Sequence, residues 1–274
     1  MFSPELGQAV LSALGRDSSL PIQSSRVSGG DINEAFCLRI GAEDYFLKIN
    51  IAERFPKMFE KEAQGLALLA ECSEFSIPKV LTVGESGNRQ FLLMEYLGSG
   101  SRNSAFWEVF GRRLADMHKS SWESFGLEHD NYIGSLEQDN TPTPTWSSFF
   151  RDSRLKPLSS QAHRNGLLTS DDIHLFDRIY ERLDTLFPKD APALLHGDLW
   201  SGNFMCGSDG EATIYDPAVY YGHREMDLAM SMLFGGFDQR FYAAYDEAFP
   251  LEPEWQDRVD LCNLYPLLVH VLLF

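Results

Sequence analysis

The chain is poor in cysteine, in basic residues and in long apolar runs. Its 274 residues include four cysteines, and no two of them show the C-x₂-C spacing of a zinc or dithiol site. No window approaches the ~20 apolar residues that a membrane-spanning helix requires. Lysine and arginine number 23 against 40 acidic residues, which gives a net charge of −17.

These absences exclude several classes of protein. The negative charge repels nucleic acid and anionic membranes, so neither is expected as a partner. Because no secretory signal is recognisable, we expect a reducing cytoplasmic location in which all four cysteines are small buried core residues. Hydrophobic residues make up 44% of the chain and charged residues 23%, as in ordinary globular proteins. The length allows one large domain or two lobes that share a cleft.

The N-terminal part of the chain predicts a small β-rich lobe. Ser3-Pro4-Glu5 combines a hydroxyl N-cap, a proline in the first turn and an acidic residue, which together favour a helix start. Helical periodicity predicts a second helix over 57–70. Alternating apolar residues bounded by turn residues predict five strands. The strands are expected at 22–28, 34–40, 44–50, 79–83 and 90–96.

The remainder of the chain predicts a larger, helical lobe, so the expected fold class is α+β. Leu97-Gly-Ser-Gly-Ser101 has the composition of a linker and divides the chain into lobes 1–96 and 97–274. The proline-rich stretch 141–145 is predicted to be a loop. Helices are expected at 104–120, 146–165, 170–187, 225–234, 238–248 and 254–274.

The segment His196-Gly-Asp-Leu-Trp-Ser-Gly-Asn203 predicts a catalytic loop for phosphoryl transfer. Asp198 and Asn203 are five positions apart, and Asp216 follows the short apolar strand 212–215. Transfer from ATP requires a carboxylate that accepts the proton of the acceptor hydroxyl, with an amide and a second carboxylate that hold Mg²⁺. We therefore predict Asp198 as the base and Asn203 and Asp216 as the metal ligands.

The same spacing occurs in protein kinases and predicts a two-lobed, protein-kinase-like fold. Two differences favour a kinase of small molecules. His196-Gly-Asp198 replaces the His-Arg-Asp of protein kinases, and Asp216-Pro-Ala218 replaces Asp-Phe-Gly.

The N-terminal lobe supplies candidates for binding the phosphates of ATP. Lys48 lies on the third predicted strand, where a lysine can reach the α- and β-phosphates. A glutamate on the following helix would hold this lysine in place, and Glu62 is preferred over Glu60 because it shares a helix face with apolar residues that point at the sheet. Gly29-Gly30 either lets backbone N–H groups approach phosphate or forms a plain hairpin turn.

The end of the last predicted strand is a candidate for binding adenine. Met94-Glu-Tyr-Leu97 lies where adenine would sit between the lobes, and backbone groups of Glu95 and Leu97 would bond its edge.

Three further residues have alternative interpretations. Trp200 lies in the sequence between the predicted base, Asp198, and the predicted amide ligand of the metal, Asn203. It either stacks on substrate, which we favour, or packs into the core and anchors the loop there. Asp227 either accepts bonds from N–H groups of the catalytic loop or is an ordinary acidic residue at a helix start. His196 is expected to bond backbone and brace the loop rather than to act as a base.

The chain resembles the fructosamine kinase, or ketosamine-3-kinase, family over nearly its whole length. The resemblance is strongest in His196–Asn203, Tyr215–Met230 and Leu233–Phe237, and it extends to Gly29–Asn33 and Leu264–Leu268. It implies ATP-dependent phosphorylation of the sugar 3-hydroxyl of a ketosamine (ribulosamine, fructosamine or erythrulosamine), borne by a small molecule or by a lysine of a protein. It also implies release of the amine afterwards, as deglycation repair, with ATP and Mg²⁺ bound through Lys48, Asp198, Asn203 and Asp216.

Two rival functions remain open at this point. The first is another small-molecule kinase, for an aminoglycoside or a choline-like alcohol, against which Trp200 and the Tyr220-Tyr-Gly222 run argue. The second is a non-catalytic binding module on a kinase fold, which would normally have lost the lysine, the base or the metal aspartate. A monomer is expected, with a homodimer as the alternative.

Overall fold

A five-stranded antiparallel sheet dominates the N-terminal region of the computed structural model, which describes residues 2–27 and 32–274. Its strand order is β1-β2-β3-β5-β4, and every predicted strand is present to within a few residues. Lys48 lies on the central strand, with Ala35 on one side and Leu92 on the other. The predicted Gly29-Gly30 turn falls outside the described residues. The strands are β1 (Ile22–Val27), β2 (Glu34–Ile40), β3 (Glu43–Ile51), β4 (Val80–Ser86) and β5 (Arg89–Glu95).

Two helices pack with this sheet. Helix α1 (Pro4–Ala13) begins as predicted, since the Ser3 hydroxyl accepts the N–H of Leu6 at 3.3 Å. Its apolar face joins Leu38, Leu47 and other inward residues of the sheet in one buried cluster. Helix α2 (Met58–Cys72) buries Phe59, Leu66 and Leu69. The phase of this second helix decides which of its acidic residues faces the sheet.

The C-terminal region is helical, which confirms the predicted α+β class. Its core is rich in aromatic residues, including Phe110 and Trp107 of α3 and Phe241 of α9. The segments are α3 (Phe106–His118), α4 (Trp146–Phe149), a π-helical segment (Phe150–Leu155), α5 (Lys156–Arg164), α6 (Ser170–Tyr180), α7 (Leu183–Leu186), α8 (Glu225–Leu233), α9 (Gln239–Ala248), a 3₁₀ turn (Trp255–Arg258) and α10 (Val259–Leu273).

Three short two-stranded antiparallel sheets lie in the connections between these helices. They are β6 (Asn131–Ile133) with β7 (Leu136–Gln138), β8 (Ala193–Leu195) with β11 (Tyr220–Gly222), and β9 (Phe204–Cys206) with β10 (Ala212–Ile214). The predicted linker is held against one of them, because Gly100 N–H donates to the carbonyl of Cys206 at 2.8 Å. The division into lobes at 96/97 remains a prediction.

Several local expectations were wrong. The helix expected over 146–165 is interrupted by the π-helical segment 150–155, and the helix expected over 170–187 breaks after Tyr180. All four cysteines are free, but Cys37 and Cys72 are half-buried rather than core residues. On β2 the side chains alternate between faces, so the inward Phe36 and Leu38 put Cys37 on the opposite face. Within the described residues, no helix is long and apolar enough to cross a membrane.

Candidate active site

A cavity of about 850 Å³ lies between the sheet and the helical region. The predicted site residues from distant parts of the chain all line it, apart from the Gly29-Gly30 pair, which is outside the described residues. These residues are Lys48, Glu62, Glu95, Leu97, Asp198, Trp200, Asn203 and Asp216. The fold therefore brings the sequence-derived candidates together at one place.

Lys48 forms the centre of a three-residue ionic cluster. Its Nζ lies 2.6 Å from Oε1 of Glu62 and 2.6 Å from Oδ1 of Asp216. Glu60, the alternative partner, is exposed, so the choice of Glu62 is confirmed. Burial alone would lower the pKa of Lys48, but the charges of Asp216 and Glu62 outweigh it and raise the pKa above its usual range. The lysine is therefore a permanent cation on the cavity wall.

Asp198 and Asn203 are bonded to each other. The Nδ2 of Asn203 donates to Oδ2 of Asp198 at 2.8 Å and to its backbone carbonyl at 2.9 Å. Burial is the main cause that raises the pKa of Asp198 to about 7; the bond from Asn203 opposes the shift, and the charges of Asp216 and Asp227 add to it. A carboxyl group with this pKa can accept and release a proton near neutral pH.

Asp227 ties the catalytic loop to α8. Its two carboxylate oxygens accept the backbone N–H groups of His196 at 2.7 Å and Gly197 at 2.9 Å. The ring of His118, a buried histidine, lies 3.2 Å from the same carboxylate. The first of the two alternatives for Asp227 is therefore correct. His196 is buried, and its Nε2 lies 3.1 Å from the carbonyl of Tyr215, in agreement with a bracing contact.

Two residues of the site, Gly197 in the catalytic loop and Asp216 after it, have a positive φ. Gly197 has φ +80°, and a Cβ built there would lie 2.0 Å from the carbonyl oxygen of Ala218. Only glycine permits this close approach of the two backbones. Asp216 has φ 57°, an uncommon conformation for a non-glycine residue and one that often accompanies function. In this backbone conformation the carboxylate of Asp216 contacts Lys48.

Trp200 faces the cavity rather than the core. Its ring is half-buried and meets the ring of Phe234 edge-on at 5.5 Å. Both side chains line the cavity. The tryptophan thus stands beside Asp198 with part of its surface open to a bound molecule.

The adenine candidates lie at another part of the cavity wall. The N–H of Glu95 donates to the carbonyl of Lys79 at 3.0 Å, and its carboxylate accepts the N–H of the same lysine at 2.9 Å. The N–H of Glu95 is therefore already used, and its carbonyl and the backbone of Leu97 are the groups left to meet a base edge.

Sequence reasoning missed the part of the cavity wall supplied by the β6–β7 hairpin and α10. Asn131 and Tyr132 line it from the hairpin, and Tyr265, Val269 and His270 line it from the helix. The hairpin lies in a stretch of mostly polar residues that resembles a surface loop. The sequence predicted a helix over 254–274, but its apolar pattern could not show which residues face a cavity.

The donor atoms of Asn203 and Asp216 fit a magnesium ion. Because Nδ2 of Asn203 is bonded to Asp198, the amide oxygen is its atom left for a metal. One carboxylate and one amide oxygen are hard ligands, typical of Mg²⁺ held jointly with substrate phosphates. Within the described ranges, no group of three or more His, Cys, Asp or Glu side chains forms a metal cage, so a metal here would depend on other ligands as well.

The chain is similar to known proteins over nearly its whole length. The family model described as fructosamine kinase matches residues 7–274. A probable ketoamine kinase of Synechocystis is 38% identical over 276 residues, which cover 99% of this chain and 92% of the relative. Another from Vibrio parahaemolyticus is 38% identical over 253 residues, covering 91% and 86%.

Solved structures with a similar fold include two putative fructosamine-3-kinases. A putative fructosamine-3-kinase from Thermobifida fusca matches with a TM-score of 0.89 and 34% identity, covering 100% of this chain and 94% of that one. One from Haemophilus somnus matches with 0.87 and 29%, covering 97% and 88%. An aminoglycoside phosphotransferase shares the fold at a TM-score of 0.63, with 14% identity, covering 96% and 90%. The protein-kinase-like fold expected from the catalytic loop is thus confirmed.

Proposed function

Because the chain belongs to the fructosamine kinase family, and is thereby an ATP-dependent ketosamine kinase, we propose that it phosphorylates the 3-hydroxyl of its acceptor. Suitable acceptors are ribulosamines, fructosamines and erythrulosamines, free or on lysine side chains. The resulting 3-phosphate is unstable and eliminates phosphate, and the amine is then released. The activity would therefore repair glycated amines.

One observation carries the proposal. The Lys48–Glu62–Asp216 cluster and the Asp198–Asn203 pair meet in a single cavity. These are the side chains that phosphoryl transfer needs at the nucleotide end and at the acceptor end. A binding module without catalysis would have no need to keep both sets.

Asp198 is proposed to serve as the base. The bond between the γ-phosphorus and the bridging oxygen of ATP breaks, a bond from phosphorus to O3 forms, and the hydroxyl proton passes to Asp198. Asn203 holds one carboxylate oxygen of Asp198, which leaves the other to receive the hydroxyl. A pKa of about 7 keeps a large share of the carboxyl ionised at neutral pH.

Lys48 is proposed to bind the phosphates of ATP, with Glu62 fixing its position. Asn203 and Asp216 would hold Mg²⁺, which when bound offsets the negative charge of the phosphates. Glu95 and Leu97 would contact adenine through their backbones.

Trp200 is proposed to contact the ketosamine. It adjoins the base in sequence, faces the cavity and is backed by Phe234. A flat, rigid ring beside the base restricts how a sugar can turn, and orientation of this kind is a large part of catalysis.

The proposal is tested by the position of the transferred phosphate. The enzyme, ATP and ribulose-lysine should give a product whose phosphorus couples to the proton on C3 in NMR spectra. A ketosamine lacking the 3-hydroxyl should not be turned over. The matched variant Asp198→Asn, which cannot accept the proton, should lose activity by roughly 10²-fold or more while staying folded. Phosphate on another oxygen, or undiminished turnover by the variant, would overturn the proposal.

A further inference from the structure

Arg154 is a fully buried cation that has no carboxylate partner in the described part of the chain. Its exposed fraction is 0%, and its hydrogen bonds go to neutral acceptors. These are Oδ1 of Asn140 at 2.6 Å and the backbone carbonyls of Asp139 at 2.5 Å and Ser153 at 3.1 Å. Among the described residues, no Asp or Glu side chain lies within salt-bridge distance of it.

Aromatic rings complete the surroundings of this guanidinium. It lies 4.2 Å from the ring centre of Tyr220, 4.4 Å from that of Phe149 and 5.4 Å from that of Tyr265. Two of these rings, Tyr220 and Tyr265, also line the cavity. Arg154 therefore stands directly behind the cavity wall.

Burying a charge without a counter-ion is costly, and the local backbone is unusual as well. Arg154 belongs to the π-helical segment 150–155. Such segments are rare and occur frequently at functional sites. An apolar residue at this position would avoid the cost of desolvation, so the arginine calls for an explanation other than core packing.

A chain of amide side chains leads from Arg154 toward the catalytic segments. Asn140, which accepts from Arg154, donates through Nδ2 to Oδ1 of Asn131 at 3.0 Å. Asn131 in turn donates to the carbonyl of Val219 at 2.8 Å. Gln138 donates to the same Asn131 oxygen at 2.7 Å and to the carbonyl of Ala218 at 3.2 Å. We call these four side chains, Arg154, Asn140, Asn131 and Gln138, the Arg154 network.

The backbone that the network holds supports both catalytic carboxylates. Ala218 and Val219 follow Asp216 by two and three positions. Ala218 N–H donates to the carbonyl of His196 at 2.9 Å, and its own carbonyl is the atom that Gly197 closely approaches. The segment 218–219 thus lies between the loop that carries Asp198 and the turn that carries Asp216.

We propose that Arg154 is a positioning residue of the phosphoryl-transfer site. Through the network it fixes segment 218–219, and through that segment it fixes the distance between Asp198 and Asp216. This inference rests on the proposed function, because it assigns Arg154 a task in the same reaction. An error of about 1 Å in such a geometry can cost roughly 10²-fold in rate.

The test compares two variants of the full chain with a matched control. Arg154→Met keeps the approximate length of the side chain and its apolar contacts but removes the N–H donors of the guanidinium group. Asn131→Asp keeps the size but sets a carboxylate oxygen against the carbonyl of Val219, which breaks the link to Val219 and leaves the bond from Gln138 to Ala218 in place. The control is Arg224→Met, since Arg224 is also buried and its three acceptors lie on Asp190, Phe249 and Pro250.

Turnover per folded molecule separates positioning from stability. Both network variants should lose about 10- to 100-fold in kcat, with KM for ATP and for the ketosamine within about threefold of wild type. Arg224→Met should keep kcat per folded molecule, even with a lower Tm. If Arg154→Met does not fold, Asn131→Asp decides. A kcat within about twofold of wild type in the folded network variants would overturn the proposal.

Hydrogen exchange of the backbone amides is a second measurement, and it requires no acceptor substrate. Backbone amides of 196–203 and 216–222 should exchange faster in the network variants than in wild type, because the backbone between the two segments is no longer held. Faster exchange confined to 131–140 and 150–158 would overturn the proposal. If wild type phosphorylates no ketosamine, the proposed function fails, and the exchange result still decides the role of Arg154.

Discussion

Nζ of Lys48 lies 2.6 Å from Oδ1 of Asp216, although 168 positions separate the two residues. The same ammonium lies 2.6 Å from Glu62 on α2. One lysine thus joins the central strand, the helix beside it and the turn after the catalytic loop. Because the two carboxylates share this single cation, its removal should affect both the stability and the chemistry of the site.

Lys48→Met should leave Glu62 and Asp216 as neighbouring carboxylates without a counter-ion. We expect a loss of roughly 2–3 kcal/mol in the free energy of unfolding, less than the ~3–5 for a fully buried pair because Asp216 is partly exposed. ATP turnover should fall as well. The double variant Lys48→Met/Glu62→Gln should recover much of the stability but none of the activity. Urea unfolding and ATP turnover measure both, and a single variant as stable as wild type would refute the cluster's importance.

Asp227→Asn should damage the catalytic loop by weakening the hydrogen bonds that hold its backbone. The carboxylate accepts two backbone N–H groups of the loop, and an amide can accept only one of them while its NH₂ group opposes the other. The unpaired buried donor should cost about 1–3 kcal/mol. We expect kcat to fall more than KM rises, as measured by steady-state kinetics below the Tm of the variant. Wild-type kcat would show that the loop holds its shape without this carboxylate.

Gly197→Ala and Gly41→Ala form a matched pair. Both glycines have positive φ, +80° and +64°, but a Cβ at Gly197 would meet the carbonyl of Ala218, whereas nothing lies within 4 Å of one at Gly41. Both variants carry the backbone strain of about 1 kcal/mol. We expect Gly197→Ala alone to lose activity, by roughly 10²-fold, because it must move the loop that carries Asp198. Similar kcat values for the two folded variants would contradict the close packing of the loop.

The buried His223 should make the free energy of unfolding depend on pH. Burial lowers the pKa of His223 to about 4, against the opposing charge of Asp190, whereas an unfolded histidine titrates near 6.5. The unfolded chain therefore binds the proton more readily between these values. The contribution is fully present above about pH 6.5 and is lost as the pH falls toward about 4.

The measurement for this prediction is the free energy of unfolding at pH 7 and pH 4, for wild type and for His223→Asn. Wild type should lose up to about 3 kcal/mol more than the variant, because the pKa of His223 in the fold lies well below that of an unfolded histidine. Equal losses in the two proteins would show that His223 is not held neutral in the fold.

The sequence could predict those features that depend on local spacing. Asp198 and Asn203 share one loop, and the phase of a regular helix separates Glu62 from Glu60. Long-range contacts were harder. The sequence offered two equal alternatives for Asp227, because nothing in an acidic residue at a helix start shows that a loop 30 residues earlier lies over it.

Other features left no readable signal. Arg154 and Asn131 are polar residues of a kind usually found at the surface, and only the fold shows that Asn140 links them inside the protein. The π-helical segment that carries Arg154 is a departure from regular periodicity, which a search for regular periodicity cannot detect. Cys37 was assigned to the core because cysteine is usually buried, whereas strand alternation decides its actual face.

The central claim is that this site phosphorylates ketosamines, and acceptor choice tests it most directly. ATP turnover should be measured side by side with ribulose-lysine, fructose-lysine, kanamycin and choline. The account predicts turnover with one or both ketosamines, at least tenfold above that with kanamycin or choline. Turnover with kanamycin or choline alone would contradict it.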